Sequence, residues 1–226
     1  IKAGAARRRK RAPRPVPACG WGRSKAALAA GNPPASVKNN SKKVKNSPAR
    51  VKNNLVQNSL RKRGIKMQRI YLITLAKLRE DYLRAAAAEY EKRLGGYCQF
   101  QTLILESARL PERPAPAEIQ RALEREGEQI LQKIPHGCFK VALCVEGKAL
   151  TSEQLAQKLF ENASFGSGQM AFIIGSSYGL SPAVKKACEL KLSLSAMTFP
   201  HRLAHIMLLE QLYRGYTILA GSGYHK

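Results

Sequence analysis

The sequence predicts an α/β domain with a mostly parallel sheet over residues 67–226, preceded by a basic leader over residues 1–66. Three observations carry this expectation. Five short apolar stretches alternate with five segments of helical character, the β-α-β-α order of a parallel sheet with crossover helices. The stretch 170–174 (MAFII) is apolar throughout, as a strand covered on both faces must be. The charge divides sharply at residue 66, which separates a part able to fold from one that is not.

The elements follow in order. Residues 69–75 (RIYLITL) are apolar and β-branched and predict the first strand. Residues 80–94 are Ala-rich, with Tyr82, Leu83, Ala86, Ala87 and Tyr90 at helical spacing, and Gly95-Gly96 ends the helix. Residues 100–105 predict a second strand, and 109–116, with three prolines, a loop. A helix over 117–134 places Ile119, Leu123, Ile130 and Leu131 on one face and stops before Pro135. Residues 139–145 predict the third strand. Thr151 and Gln154 fit a capping box, opening a helix that runs to about residue 163. After the fourth strand, Ser181-Pro182 sets a capping serine before a proline at the first helical position. Residues 190–194 predict the fifth strand. A long helix over 200–219 follows, with Leu208, Leu209 and Leu212 facing the core, and the tail GSGYHK ends the sequence.

The chain has 226 residues and a formal net charge of +24. Residues 1–66 hold 19 Lys and Arg and no acidic residue; residues 67–226 hold 20 Lys and Arg against 15 Asp and Glu, a net +5. The total charge is therefore not the charge of one folded surface. With Trp21 as its only aromatic and six of the twelve prolines, the leader cannot offset chain entropy by burial and is expected to be disordered. Three roles fit it: a nucleic-acid arm through the run Arg7-Arg8-Arg9-Lys10-Arg11, an organelle transit segment, or upstream sequence ahead of a start at Met67. An acidic, solvating protein is excluded, and no run of about 18 apolar residues exists to span a membrane.

The cysteines (Cys19, Cys98, Cys138, Cys144 and Cys188) are odd in number and form no CxxC, which reads as free thiols in a reducing compartment rather than a disulfide frame or a catalytic nucleophile. His201 and His205 stand four apart on the last helix, a spacing that can hold a metal. No third ligand accompanies them and HExxH is absent, so no metal is expected.

Two loops could carry chemistry. In IIGSSYGLSP (173–182) a buried strand ends in Gly-x-x-x-Gly and turns into a helix, the place where open parallel sheets bind ligands and where glycine admits close approach. In LSLSAMTFPH (192–201) a strand leaves into a loop of small residues before Pro200. Two such strand-end loops can form one pocket. Glu210, Arg214 and the tail Tyr224-His225-Lys226 add ionisable groups at the end of the chain; Glu210 and Arg214 also fit a plain i, i+4 helix pair.

These runs, together with EQLYRGY, the terminal YHK and the upstream EYEKRLG, EREGEQIL and EGKALTSEQLAQ, resemble the signature stretches of the RlmH family. This family comprises SPOUT-class methyltransferases that act on a pseudouridine of bacterial large-subunit ribosomal RNA. The resemblance covers residues 67–226 and none of 1–66. It implies a C-terminal trefoil knot, a homodimer, a bacterial cytoplasmic location (organellar if the leader is a transit segment) and ribosomal RNA in the assembled ribosome as partner. It also implies S-adenosylmethionine as cofactor, touching Leu143, Gly175, Leu194, Ser195, Ala196, Met197, Thr198 and Phe199. Where the family has Gly-Gly, this chain has Gly175-Ser176, and a positive φ there would strain the serine.

Methyl transfer to N3 of pseudouridine needs alignment, exclusion of water and removal of the N3 proton. His201, His225 and Glu210 are candidates for that proton, with Arg214 and Lys226 to hold phosphate or the developing anion; Tyr224 is a further catalytic candidate without an assigned role. Two rival readings are a SPOUT enzyme with another RNA target and a non-catalytic RNA-binding module gripping through the leader. A dinucleotide-binding dehydrogenase is disfavoured, since no GxGxxG follows the first strand.

Overall fold

The computed structural model describes residues 66–75 and 77–224, with isolated positions 58, 62 and 64. The leader lies otherwise outside the described residues, as do Cys19, His225 and Lys226. The chain runs β1 (Arg69–Thr74), α1 (Asp81–Leu94), β2 (Gln99–Ile104), α2 (Pro116–Lys133), β3 (Phe139–Ala149), α3 (Ser152–Phe165), β4 (Gln169–Ile174), α4 (Pro182–Ala187), β5 (Leu190–Ser193) and α5 (His201–Ala220). The five strands form one sheet in the order β2-β1-β4-β3-β5, and every pairing is parallel. This is the expected α/β architecture, with boundaries moved by one or two residues except at the end of β3, which runs four residues further.

The strands alternate their side chains between two cores. Ile70, Leu72, Val141, Met170 and Phe172 pack on one face with Leu94 of α1, Leu155 and Leu159 of α3, and Leu208, Leu209, Leu212 and Tyr216 of α5. Ile73, Ala142, Ala171 and Ile173 face the other way, onto Ile130 of α2 and Val184 of α4. A fully apolar β4 is the consequence, because helices cover both of its faces. Thr151 Oγ1 accepts from the Gln154 backbone N–H at 3.2 Å and Gln154 Oε1 accepts from Thr151 N–H at 3.0 Å, which closes the capping box ahead of α3.

Two expectations of burial fail. Tyr82 is 71% exposed and Leu131 37% exposed. On α1 the buried stripe passes through Ala87 and Leu94. On α2 it passes through Ala122, Glu126, Gly127 and Ile130, so the face is rotated away from Leu131 and includes a carboxylate.

The first core also holds a polar chain. Tyr216 Oη donates to Gln68 Oε1 at 2.7 Å, and Gln68 Nε2 donates to Asn162 Oδ1 at 3.0 Å. Gln68 is fully buried and Tyr216 nearly so. Tyr216→Phe leaves the Gln68 oxygen without its donor in an apolar surround, at a cost of about 1–3 kcal/mol. Chemical denaturation of the variant should show that loss, and an unchanged midpoint would rule out a stabilising role for this chain of bonds.

Candidate functional site

The carboxyl ends of β3, β4 and β5 open into one cleft of about 710 Å³. Three segments build it, each for a local reason.

The first is the turn after β4. Gly179 N–H donates to Ser176 O at 3.0 Å, and Gly179 has a φ of +87°, a left-handed conformation suited to glycine. The turn folds back so tightly that a Cβ on Gly175 would lie 2.1 Å from the Gly179 carbonyl oxygen. No non-glycine residue among those described has a positive φ, so Ser176 is not strained. The left-handed position is Gly179 instead.

The second segment is the loop after β5. Ser193 Oγ donates to Ser195 O at 2.8 Å, and Ser195 Oγ accepts from Met197 N–H at 3.0 Å, so its own hydroxyls hold the loop in shape. The third is a bulge in β3. The pairing of β3 with β5 shifts between Leu143 and Lys148, which leaves Cys144, Val145, Glu146 and Gly147 outside the ladder. The first three of these line the cleft.

Of the residues expected to touch a cofactor, Leu143, Gly175, Leu194, Ser195, Met197, Thr198 and Phe199 line the cleft, while Ala196 lies in the same loop but not on the wall. His201 also lines it, at the start of α5. Burial, with help from the neighbouring Arg202 charge, holds the His201 imidazole below its ordinary pKa, so it is neutral near pH 7. Glu146 and Lys185 form an ion pair on the cleft wall, and Lys185 holds the Glu146 carboxyl below the usual range. Glu146 opens the run EGKALTSEQLAQ but was not among the residues expected at the site, because it reaches the cleft only through the bulge. Tyr178 and Leu180 lie in the run 173–182 but were not among the residues expected to touch a cofactor.

Glu210, Arg214 and Tyr224 sit elsewhere. Arg214 Nε donates to Glu210 Oε1 at 2.9 Å, the plain i, i+4 pair, and Tyr224 Oη donates to the same oxygen at 3.3 Å. The Arg214 guanidinium lies 4.9 Å from the Tyr224 ring centroid, and Tyr213 meets that ring edge-on at 4.9 Å. At a rise of about 1.5 Å per residue, the thirteen residues from His201 to Arg214 carry this cluster about 20 Å along α5. One chain therefore does not unite the cleft and the cluster.

The described cysteines are not activated as nucleophiles. All four described thiols are free, and burial raises each: Cys98 to about 12, Cys188 to about 11, and Cys138 and Cys144 upward. Among the described residues no group of three or more His, Cys, Asp or Glu is arranged to hold a metal ion. No helix among them is long and apolar enough to cross a membrane.

A family described as "Predicted SPOUT methyltransferase" matches residues 68–225. The chain belongs to this family. Its curated relatives carry the name Ribosomal RNA large subunit methyltransferase H, so it falls in the RlmH group of the SPOUT methyltransferases. The relative from Bifidobacterium adolescentis is 46% identical over 158 residues, 70% of this chain and 99% of that protein. The relative from Exiguobacterium sibiricum is 45% identical over 157 residues, again 70% of this chain and 99% of that protein. The relative from Ligilactobacillus salivarius is 43% identical with the same coverage. In this SPOUT methyltransferase the matched span coincides with the mildly basic part and leaves the leader out.

Proposed function

We propose that residues 67–226 transfer a methyl group from S-adenosylmethionine to N3 of a pseudouridine in 23S ribosomal RNA, on the assembled ribosome in a bacterial cytoplasm. The observation that carries this reading is the convergence of the two strand-end loops, 175–180 and 193–199, on one cleft of cofactor size in a SPOUT methyltransferase chain. The residues present suit such a cofactor. Leu143, Ile174, Leu180, Leu192 and Leu194 offer apolar wall to an adenine, and the two loops bring backbone N–H and C=O groups for its polar edges. A C-terminal trefoil knot, implied by the resemblance, belongs to the same reading.

When bound, S-adenosylmethionine supplies a methyl group already activated on a sulfonium. The chain's residues then have three tasks. The loops hold the donor in line and exclude water. His201, neutral and at the cleft, is placed to take the N3 proton. Arg214, ionised and oriented by Glu210, is suited to phosphate or to the developing anion, with the Tyr224 ring against it and His225 and Lys226 next to Tyr224 in sequence.

A homodimer belongs to this reading. The cluster of Glu210, Arg214 and Tyr224 lies far along α5 from the cleft of its own chain, so a second copy is the natural source of those groups. Exposed apolar side chains around the cleft support this: Val145 at 49%, Met197 at 70% and, on the first turn of α5, Leu203 at 42%.

Calorimetry with S-adenosylmethionine on the full chain, paired with methylation of ribosomes lacking the mark, tests the reading. His225→Ala should bind the cofactor within a few-fold of the parent yet lose about 100-fold or more in turnover. Absence of cofactor binding by the parent chain would overturn the enzyme reading. Binding without 23S methylation would move the target to another RNA.

A further inference from the structure

The run 124–131 (EREGEQIL) belongs to the signature stretches, yet the reading above gives it no task. Helix α2 sets two adjacent residues of that run against the two ends of the turn 175–181. Glu126 is only 4% exposed. Its Oε2 accepts from Ser176 Oγ at 2.9 Å, and its Oε1 accepts from the Ala108 backbone N–H at 2.8 Å. Gly127 stands against Ser181, where a Cβ would come within 2.3 Å of the serine Oγ. Ser181 in turn caps α4 by accepting from Val184 N–H at 3.3 Å.

Behind the turn lies a second, smaller cleft of about 270 Å³, bounded by Ser107–Pro111, by α2 and by the same residues Ser176, Ser177 and Tyr178. The turn is thus a thin wall between two cavities, buried at Gly175 and Leu180 and exposed from Ser177 to Gly179. The carboxyl of Glu126 adds a side-chain hold at Ser176. A buried carboxyl whose two oxygens each meet a donor is stable only in that arrangement, because loss of either partner leaves an unsatisfied buried acceptor. It therefore fixes the distance between the β2–α2 loop at Ala108 and the turn at Ser176, next to Gly175.

We propose that Glu126 is a positioning residue for cofactor binding: through Ser176 it holds the turn after β4 in its binding shape before the cofactor arrives, with the β2–α2 loop as the second anchor. This rests on reading the larger cleft as the S-adenosylmethionine site. Preorganisation of this kind raises affinity by removing the ordering cost from the binding step. Glu126 touches no cofactor or substrate itself. Ser176 is the contact through which this chain makes the link.

Two measurements on the full chain test the inference: amide hydrogen exchange over residues 175–181 without cofactor, and the calorimetric Kd for S-adenosylmethionine. Ser176→Ala leaves Glu126 Oε2 without its donor and should lower the melting temperature by a few degrees, exchange about 5-fold faster in the turn, and bind the cofactor about 5–10-fold more weakly. Glu126→Gln retains one acceptor and should show an intermediate loss. In the Glu126→Gln background, the further effect of Ser176→Ala should fall below about 2-fold, the mark of coupled groups. Exchange and affinity equal to the parent in Ser176→Ala, or effects of the two substitutions that simply multiply, would overturn it. If the parent chain binds no S-adenosylmethionine, the cofactor reading falls, while the exchange measurement still decides whether Glu126 holds the turn.

Discussion

Gly175→Ala is expected to lower the affinity for S-adenosylmethionine by about 100-fold, equivalent to about 3 kcal/mol. The added methyl would stand 2.1 Å from the Gly179 carbonyl oxygen and 2.5 Å from its carbon, distances that no Cβ tolerates. Both opposing atoms are backbone, so relief requires the turn itself to open. Opening breaks the Gly179 N–H to Ser176 O bond and moves Gly179 from the left-handed φ that shapes the wall. The sheet behind it, with Ile173 fully buried and Ile174 nearly so, keeps its own packing. Binding should therefore fall much further than melting temperature. Calorimetry and thermal unfolding on the same preparation measure the two effects, and an affinity within a few-fold of the parent would contradict the geometry.

The second large effect is acid lability through His205. This residue is 2% exposed, and neither ring nitrogen has a hydrogen-bond partner. Burial pushes its pKa down to about 4. In the unfolded chain a histidine titrates near 6.5. Between those values the unfolded state binds the extra proton and the folded state does not, so stability is complete above about pH 6.5 and drains away as the pH falls toward 4. The full loss is on the order of 3 kcal/mol. Carboxylates whose pKa values are lowered by partners, such as Glu146 with Lys185 and Glu80, also cost stability in acid, so the measurement is a difference. Urea unfolding at pH 7.5 and pH 4.5 should show the parent losing about 3 kcal/mol more than His205→Leu. Equal losses would show that His205 is solvated or partnered when folded.

The architecture was readable because its signals are local. Alternating apolar stretches, the Thr151–Gln154 box and Ser181-Pro182 each report on a few adjacent residues, and each element stands where its signal lies. The cleft was readable for a related reason: a strand end followed by small residues marks a ligand loop whatever it faces. What escaped was long-range. Glu126 sits in a run of alternating charge that looks like a solvated surface, yet its i±4 neighbours are Ala122 and Ile130, both buried. That phase was the available sign that the carboxylate points inward. Glu146 stands in a quoted run, but its place at the cleft was not legible because a bulge, not the strand period, carries it there. Tyr82 and Leu131 show the converse, apolar residues near a helical stripe but just outside its arc.

The long final helix has a further consequence. Its ends carry two different kinds of group, a histidine at the cleft and an arginine–tyrosine cluster about 20 Å away, joined by rigid backbone hydrogen bonds. The helix is thus a ruler as well as a packing element. Each residue inserted or removed between Ala204 and Glu210 would shift the cluster by about 1.5 Å and rotate it by about 100°. A change in the helix's length therefore returns the cluster to its face only in steps that restore the phase, close to whole turns.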